Sequence, residues 1–221
     1  MRRHRPVAEQ VITIVGGTTD VGREIALGAA ARRARVSVAD ADARALARLA
    51  AEADVPHRFE TLAIDPWRHD AAERVAAAAT ARFGLLHTWV HVVGRGTGGG
   101  ASVRDVAVHA MGQLRRSGGG AFVVVTPEPH SVAPDGSGDD LGAEVAAIGA
   151  LVRERHDLSS VTLVRCAGIV APQRVADAVL RVAVRPRAEV VLHGSARRDA
   201  IVARLVPSPR RVLGPTGALG R

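Results

Sequence analysis

Gly16, Gly17 and Gly22 bracket Thr18 and Thr19 in a short stretch that directly follows the aliphatic run 11–15. A strand ending in such a turn and feeding a helix presents backbone N–H groups and the positive end of the helix dipole to a diphosphate. Glycine lets the chain approach it closely. Gly16 and Gly22 keep the outer places of a glycine-x-x-x-glycine-x-glycine spacing, while Asp20 takes the middle one. A carboxylate beside phosphate is unfavourable, so Asp20 is expected to cap the first helical turn instead. Asp40 ends the next aliphatic run, where a carboxylate can accept both ribose hydroxyls of NAD and repel the 2′-phosphate of NADP. Asp65 stands at the tip of the third run, before Pro66, either meeting an adenine edge or forming a turn. The pattern calls for a nicotinamide dinucleotide, with NAD preferred to NADP.

The residues that would do chemistry on such a cofactor are much sparser. Hydride transfer to a carbonyl needs a proton donor beside the oxygen, yet the chain has no tyrosine, lysine or asparagine, and all 30 basic residues are arginine. Arginine stays charged and does not shuttle protons. Beyond the third strand the remaining candidates are His91, His109, His130 and Cys166. Each also has an ordinary structural role: a hydrogen-bonded histidine inside an apolar strand, a packed or solvated helix residue, an exposed loop residue, and small apolar filler. His87 and His91 lie four apart with no third metal ligand evident, and one cysteine excludes both a disulfide and a multi-cysteine zinc site.

These groups need a scaffold, and the hydrophobic pattern supplies one. Strands are expected at 11–15, 35–39, 58–64, 88–93, 121–125, 160–165 and 189–193, separated by a helix that follows the glycine turn and runs to about 34 and by helices at 42–53, 70–83, 102–116, 141–155 and 172–184. Strands that are apolar almost throughout and alternate with helices imply a Rossmann-like, doubly wound parallel sheet in a three-layer α/β/α single domain. That domain spans 11–194. A basic N-terminal tail, 1–10, precedes it, and 195–221 follow as a short helix and a loose tail rich in proline and glycine. The segment 126–140, rich in Pro, Gly and Asp, reads as a loop.

The composition, 47% hydrophobic and 24% charged, is that of a globular protein. A net charge of +8 raises nucleic acid as a partner, but no arginine run exceeds two residues and no aromatic platform accompanies them. Specific nucleic-acid binding is not expected. The N-terminal residues lack the apolar stretch of a signal peptide, and no apolar run reaches transmembrane length, so no membrane partner is expected and the cytoplasm is the expected compartment.

The stretch VITIVGGTTDVGREIALGAAARRARVSVADADA resembles the opening unit of the short-chain dehydrogenase/reductase family, with Asp40 in the NAD-ribose position. Asp65 resembles the family's acidic residue at adenine. FGLLHTWVHVVGRG resembles the segment that carries an Asn-Asn-Ala-Gly motif, of which Gly94 alone survives. AFVVVT resembles the strand that ends at the catalytic serine, placing Thr126 on or near it, and VTLVRCAGIVAP resembles the end of the sixth strand, with Cys166 before Ala167-Gly168. The resemblance implies cofactor contacts at Gly16, Thr18, Thr19, Gly22, Asp40, Asp65 and Gly94. Catalytic candidates are then reduced to Thr126, His130 and Cys166.

The family's Tyr-x-x-x-Lys pair has no counterpart in any register. The region between Gly94 and Ala121 is also short, so a homo-oligomer would have a reduced family interface. Three functions fit these departures: a degenerate NAD-binding protein acting as a binding or regulatory subunit, an oxidoreductase with an unusual proton donor and an unknown small-molecule substrate, or an interaction protein that has lost the nucleotide.

Overall fold

The computed structural model describes residues 4–93, 102–126, 140–154 and 158–194. Seven strands, β1 (Val11–Val15), β2 (Arg35–Asp40), β3 (Phe59–Ala63), β4 (Thr88–Val92), β5 (Ala121–Thr126), β6 (Ser160–Ala167) and β7 (Glu189–His193), alternate with six helices. These are α1 (Asp20–Ala31), α2 (Ala43–Ala53), α3 (Ala71–Phe83), α4 (Val103–Arg116), α5 (Asp140–Glu154) and α6 (Pro172–Val184). The strands form one parallel sheet in the order β3-β2-β1-β4-β5-β6-β7.

Because side chains alternate along a strand, the sheet has two faces. Ile12, Ile14, Val90, Val92, Val123 and Cys166 pack under α1, α2 and α6. Val15, Trp89, Val93, Phe122 and Val124 pack under α3, α4 and α5. With almost no aromatics, the helices approach the sheet through alanine and valine: Ala26 and Ala29 from α1, Ala72, Val75 and Ala76 from α3. Small side chains at such contacts keep the layers close and the interior dense.

The winding direction reverses between β1 and β4, which are neighbours in the sheet though two crossover units separate them in the chain. Loops leave the two strands in opposite directions there and open a crevice at the strands' carboxyl edge, where ligands of open α/β sheets bind.

The N-terminal residues pack beneath the opposite edge. Gln10 is buried, accepting from the Thr88 hydroxyl at 2.6 Å and donating to the Ala183 carbonyl at 3.3 Å, while the His4 ring meets the Ser160 hydroxyl at 2.9 Å. At the carboxyl edge α4 begins with a capping box between Ser102 and Asp105, and Glu144 of α5 accepts the Arg104 N–H at 2.7 Å. That bond ties the start of α4 to α5.

Candidate functional site

The turn after β1 is built by glycine. Gly16 has φ +80°, and the Gly16 and Gly17 N–H groups donate to the Ala39 carbonyl at 3.1 and 3.4 Å, folding the chain back over the end of β2. Thr19 caps α1: its hydroxyl accepts the Gly22 N–H at 3.0 Å and donates to the Gly16 carbonyl at 2.8 Å. This corrects the expectation for Asp20. The hydroxyl one residue earlier already reaches the third amide of the helix, and Asp20 lies exposed in the first turn, where its charge complements the helix dipole. Among the described residues no acceptor meets the Asp20 and Val21 amides. The helix therefore keeps two outward N–H groups for an anion.

Asp40 sits beside this turn, half-buried. One carboxylate oxygen accepts the Thr18 N–H at 2.9 Å and the other accepts the Ala41 N–H at 2.7 Å. A carboxylate oxygen can accept more than one hydrogen bond, so both retain capacity for a further donor. Asp40 thus fixes the threonine turn against β2 and keeps a negative acceptor at the sheet's edge. Asp65 is exposed. Its carboxylate accepts the Trp67 N–H at 3.0 Å, as a turn former does.

The two described catalytic candidates, Thr126 and Cys166, lie on opposite faces of the sheet. Gly94 and His130 lie outside the described residues. Thr126 is buried on the face covered by α4 and α5, and its hydroxyl donates to the Val164 carbonyl at 3.4 Å. Cys166 is buried on the other face, under α6. Burial pushes its thiol up to about 11, so at neutral pH it is neither a thiolate nucleophile nor a ready acid. Cys166 should resist a thiol reagent at pH 8 in the native protein and react fully in denaturant. Prompt native labelling would place it at an open surface.

His91 is fully buried in β4, with neither ring nitrogen hydrogen-bonded, and the Trp67 ring meets it edge-on at 5.4 Å and 83°. Sequence reasoning expected a hydrogen-bonded histidine here. Among the described residues no partner reaches either ring nitrogen, and burial lowers its pKa to about 4. His87 is different: its Nδ1 accepts the Val11 N–H at 2.9 Å at the amino edge of the sheet. His109 is exposed on α4. Among the described residues no group of three or more potential ligands could hold a metal, and no helix is long and apolar enough to cross a membrane.

Sequence reasoning missed the Thr19 cap and the Glu144 link. The first was readable, since threonine three residues before an N-terminal helical amide is a standard cap. The second joins residues 40 apart in the chain and had no local signal.

The fold is that of solved short-chain dehydrogenase/reductases. A short-chain dehydrogenase/reductase from Brucella melitensis, titled glucose/ribitol dehydrogenase, aligns with TM-score 0.70 and 18% identity over 88% of this chain and 98% of its own. A metagenomic short-chain oxidoreductase in complex with NADP gives 0.68 and 18% over 85% and 98%. Hydroxysteroid dehydrogenase from Escherichia coli gives 0.68 and 16% over 84% and 94%. No protein-family model and no curated protein matches the sequence.

Proposed function

We propose that the chain binds a nicotinamide dinucleotide at the carboxyl edge of the sheet, NAD in preference to NADP, and acts as a binding or regulatory subunit without the Tyr/Lys-dependent carbonyl chemistry of the fold. The observation that carries the binding half is the juxtaposition of the open Asp20 and Val21 amides with the Asp40 carboxylate, held together by the bond from Thr18. The amides, with the Thr18 hydroxyl nearby, are suited to the diphosphate. Asp40 is suited to the adenosine ribose diol, and Asp65 lies at the tip of the neighbouring strand on the adenine side. The solved neighbour that holds NADP supports a dinucleotide in this fold. When bound, the nicotinamide supplies a hydride acceptor or donor.

What the chain withholds is the proton. With tyrosine, lysine and asparagine absent throughout, no residue reproduces the acid, its electrostatic tuner or the polar link to solvent. The Thr126 hydroxyl donates its hydrogen bond to a backbone carbonyl, and Cys166 is buried on the other face beneath α6. Bound nucleotide then serves recognition or signalling.

Isothermal calorimetry tests this directly. NAD should bind more tightly than NADP. Asp40→Ala should weaken NAD binding about tenfold to a hundredfold, the range for losing hydrogen bonds to a charged acceptor. No nicotinamide absorbance change should accompany a panel of carbonyls and alcohols. Failure of all oxidised and reduced nucleotides to saturate, or unchanged affinity in Asp40→Ala, refutes the binding half. Robust turnover refutes the other.

A further inference from the structure

The arginines that look scattered along the sequence are gathered by the fold. In a parallel sheet every strand starts at one edge, and the helices, running antiparallel to the strands, end there. Arg5, Arg35, Arg58 and Arg187 precede or open β1, β2, β3 and β7 at this amino edge. Arg5 lies on the segment leading into β1, and Arg35 opens β2, the strand paired with it. Arg82, Arg115 and Arg116 arrive at the same edge on the last turns of α3 and α4. Among the described residues the carboxylates there are Glu9, Asp54, Glu60 and Glu189; Glu189 pairs with Arg165 at 3.0 Å, and Glu60, second in β3, lies near Arg82. The opposite, nucleotide-side edge carries both signs: Asp20, Asp40, Asp42, Asp65, Asp70 and Asp105 stand there among Arg23, Arg44, Arg68 and Arg104, and Arg68 pairs with Asp70 at 2.9 Å.

Part of this asymmetry has a structural cause. Cations stabilise helix carboxyl ends, which accounts for Arg82, Arg115 and Arg116. The arginines at strand starts complement no helix end of their own. A second observation also points outward from the fold. Leu85 and Leu158, 43% and 51% exposed, sit in the α3–β4 and α5–β6 turns at this same edge. The α4–β5 turn runs between them: the Ser117 hydroxyl accepts the Leu86 N–H at 3.0 Å, and Gly119 packs against Leu158. Two exposed leucines thus flank a turn that begins directly after Arg115 and Arg116.

We infer that the amino edge of the sheet is a docking surface for an anionic lipid bilayer. Arginines meet the headgroup phosphates and Leu85 and Leu158 enter the interface between them. The leucines decide between polyanions, because a nucleic-acid backbone gains nothing from exposed aliphatic side chains, and Phe83, the half-buried ring at the end of α3, already lies under the Arg82 guanidinium at 5.3 Å. Surface docking needs no spanning segment, so the absence of a long apolar run does not bear on it. Docked this way, the nucleotide edge faces the aqueous phase and both surfaces can be occupied together.

The full chain should co-sediment with phosphatidylcholine–phosphatidylglycerol vesicles at least about tenfold more strongly than with phosphatidylcholine alone, and salt should weaken the binding. R82E/R116E should lower vesicle affinity by roughly tenfold or more. L85S/L158S should lower it severalfold while leaving affinity for a DNA duplex unchanged. Should the double leucine variant shift the urea midpoint, L85S alone carries the comparison, since Leu85 lies in an exposed turn. Equal binding to neutral and charged vesicles, or full vesicle binding by R82E/R116E, overturns the inference. So does wild-type vesicle affinity in the leucine variants, which would make the edge a general polyanion surface of the nucleic-acid kind.

Discussion

Gly22→Ala should destabilise the protein by about 3 kcal/mol, read as a lower urea midpoint with an unchanged slope. A Cβ at Gly22 would stand 2.2 Å from the Gly16 carbonyl oxygen and 2.8 Å from the Gly17 Cα. Both neighbours are backbone, so no rotamer relieves the overlap. The first turn of α1 must lift from the turn after β1, or that turn must open. Alanine is the better helix former by about 1 kcal/mol, which the steric cost exceeds. Gly112→Ala in α4 is the matched control: the added carbon meets only the tip of Arg116, at 3.8 Å, so propensity acts alone and the variant should gain about 0.5–1 kcal/mol. A Gly22→Ala protein as stable as wild type would mean that α1 is not seated on the glycine turn. Nucleotide affinity should fall with stability, because the same displacement moves the Asp20 and Val21 amides.

The architecture was readable because local and global signals agree. Apolar runs of strand length alternate with alanine-rich helices, and β1 and β7 fall on the expected residues. The misplaced ends have one physical reason: a strand stops where its neighbour stops pairing, not where its own hydropathy does. Thr126 continues β5 because Arg165 lies opposite it, and Cys166 and Ala167 continue β6 because Leu192 and His193 do. A partner brought in by the fold is invisible in the segment itself.

The site divides in the same way. The glycine turn at Gly16 and Gly22 was legible because it is local, and Asp40 was legible as the residue that ends β2. What the sequence does not carry is how these groups use one another. Asp40 accepts the Thr18 N–H across 22 residues, which makes it part of the turn's support as well as a candidate ligand. Asp20 yields the cap to Thr19, because the side chain one residue earlier already satisfies the amide that Asp20 would have reached. The amino edge is the clearest case. Reading along the chain gives arginine pairs; only the common direction of seven strands converts them into a surface.

Lowering the pH from 6.5 to 4 should cost about 3 kcal/mol through His91 alone. The folded protein holds this imidazole neutral, with a pKa of about 4 set by burial, whereas the unfolded chain titrates it near the ordinary value of 6.5. Between those two values the unfolded state binds more protons, so stability falls as pH drops through the window and the loss is complete below it. Above 6.5 both states are neutral and His91 contributes no slope. His87 adds a slope in the same window, its pKa lowered to about 4 by burial first and by Arg5 and Arg35 second. The exposed aspartates Asp42, Asp70 and Asp105, whose pKa values are lowered by hydrogen bonds, act only below the ordinary carboxylate value of 3.8 and so fall outside it. His91→Leu separates the two histidines. His4, lowered by burial, adds to the same slope, and Glu60, its carboxyl raised by burial, opposes it. The substitution should remove the His91 share of the slope, about 3 kcal/mol between pH 6.5 and 4, and raise stability at pH 8 by about 1–2 kcal/mol, because two buried nitrogens without partners among the described residues are replaced by apolar carbon. Urea midpoints across the pH series measure both. An unchanged slope in His91→Leu, or a loss of stability at pH 8, would show that His91 has a polar partner.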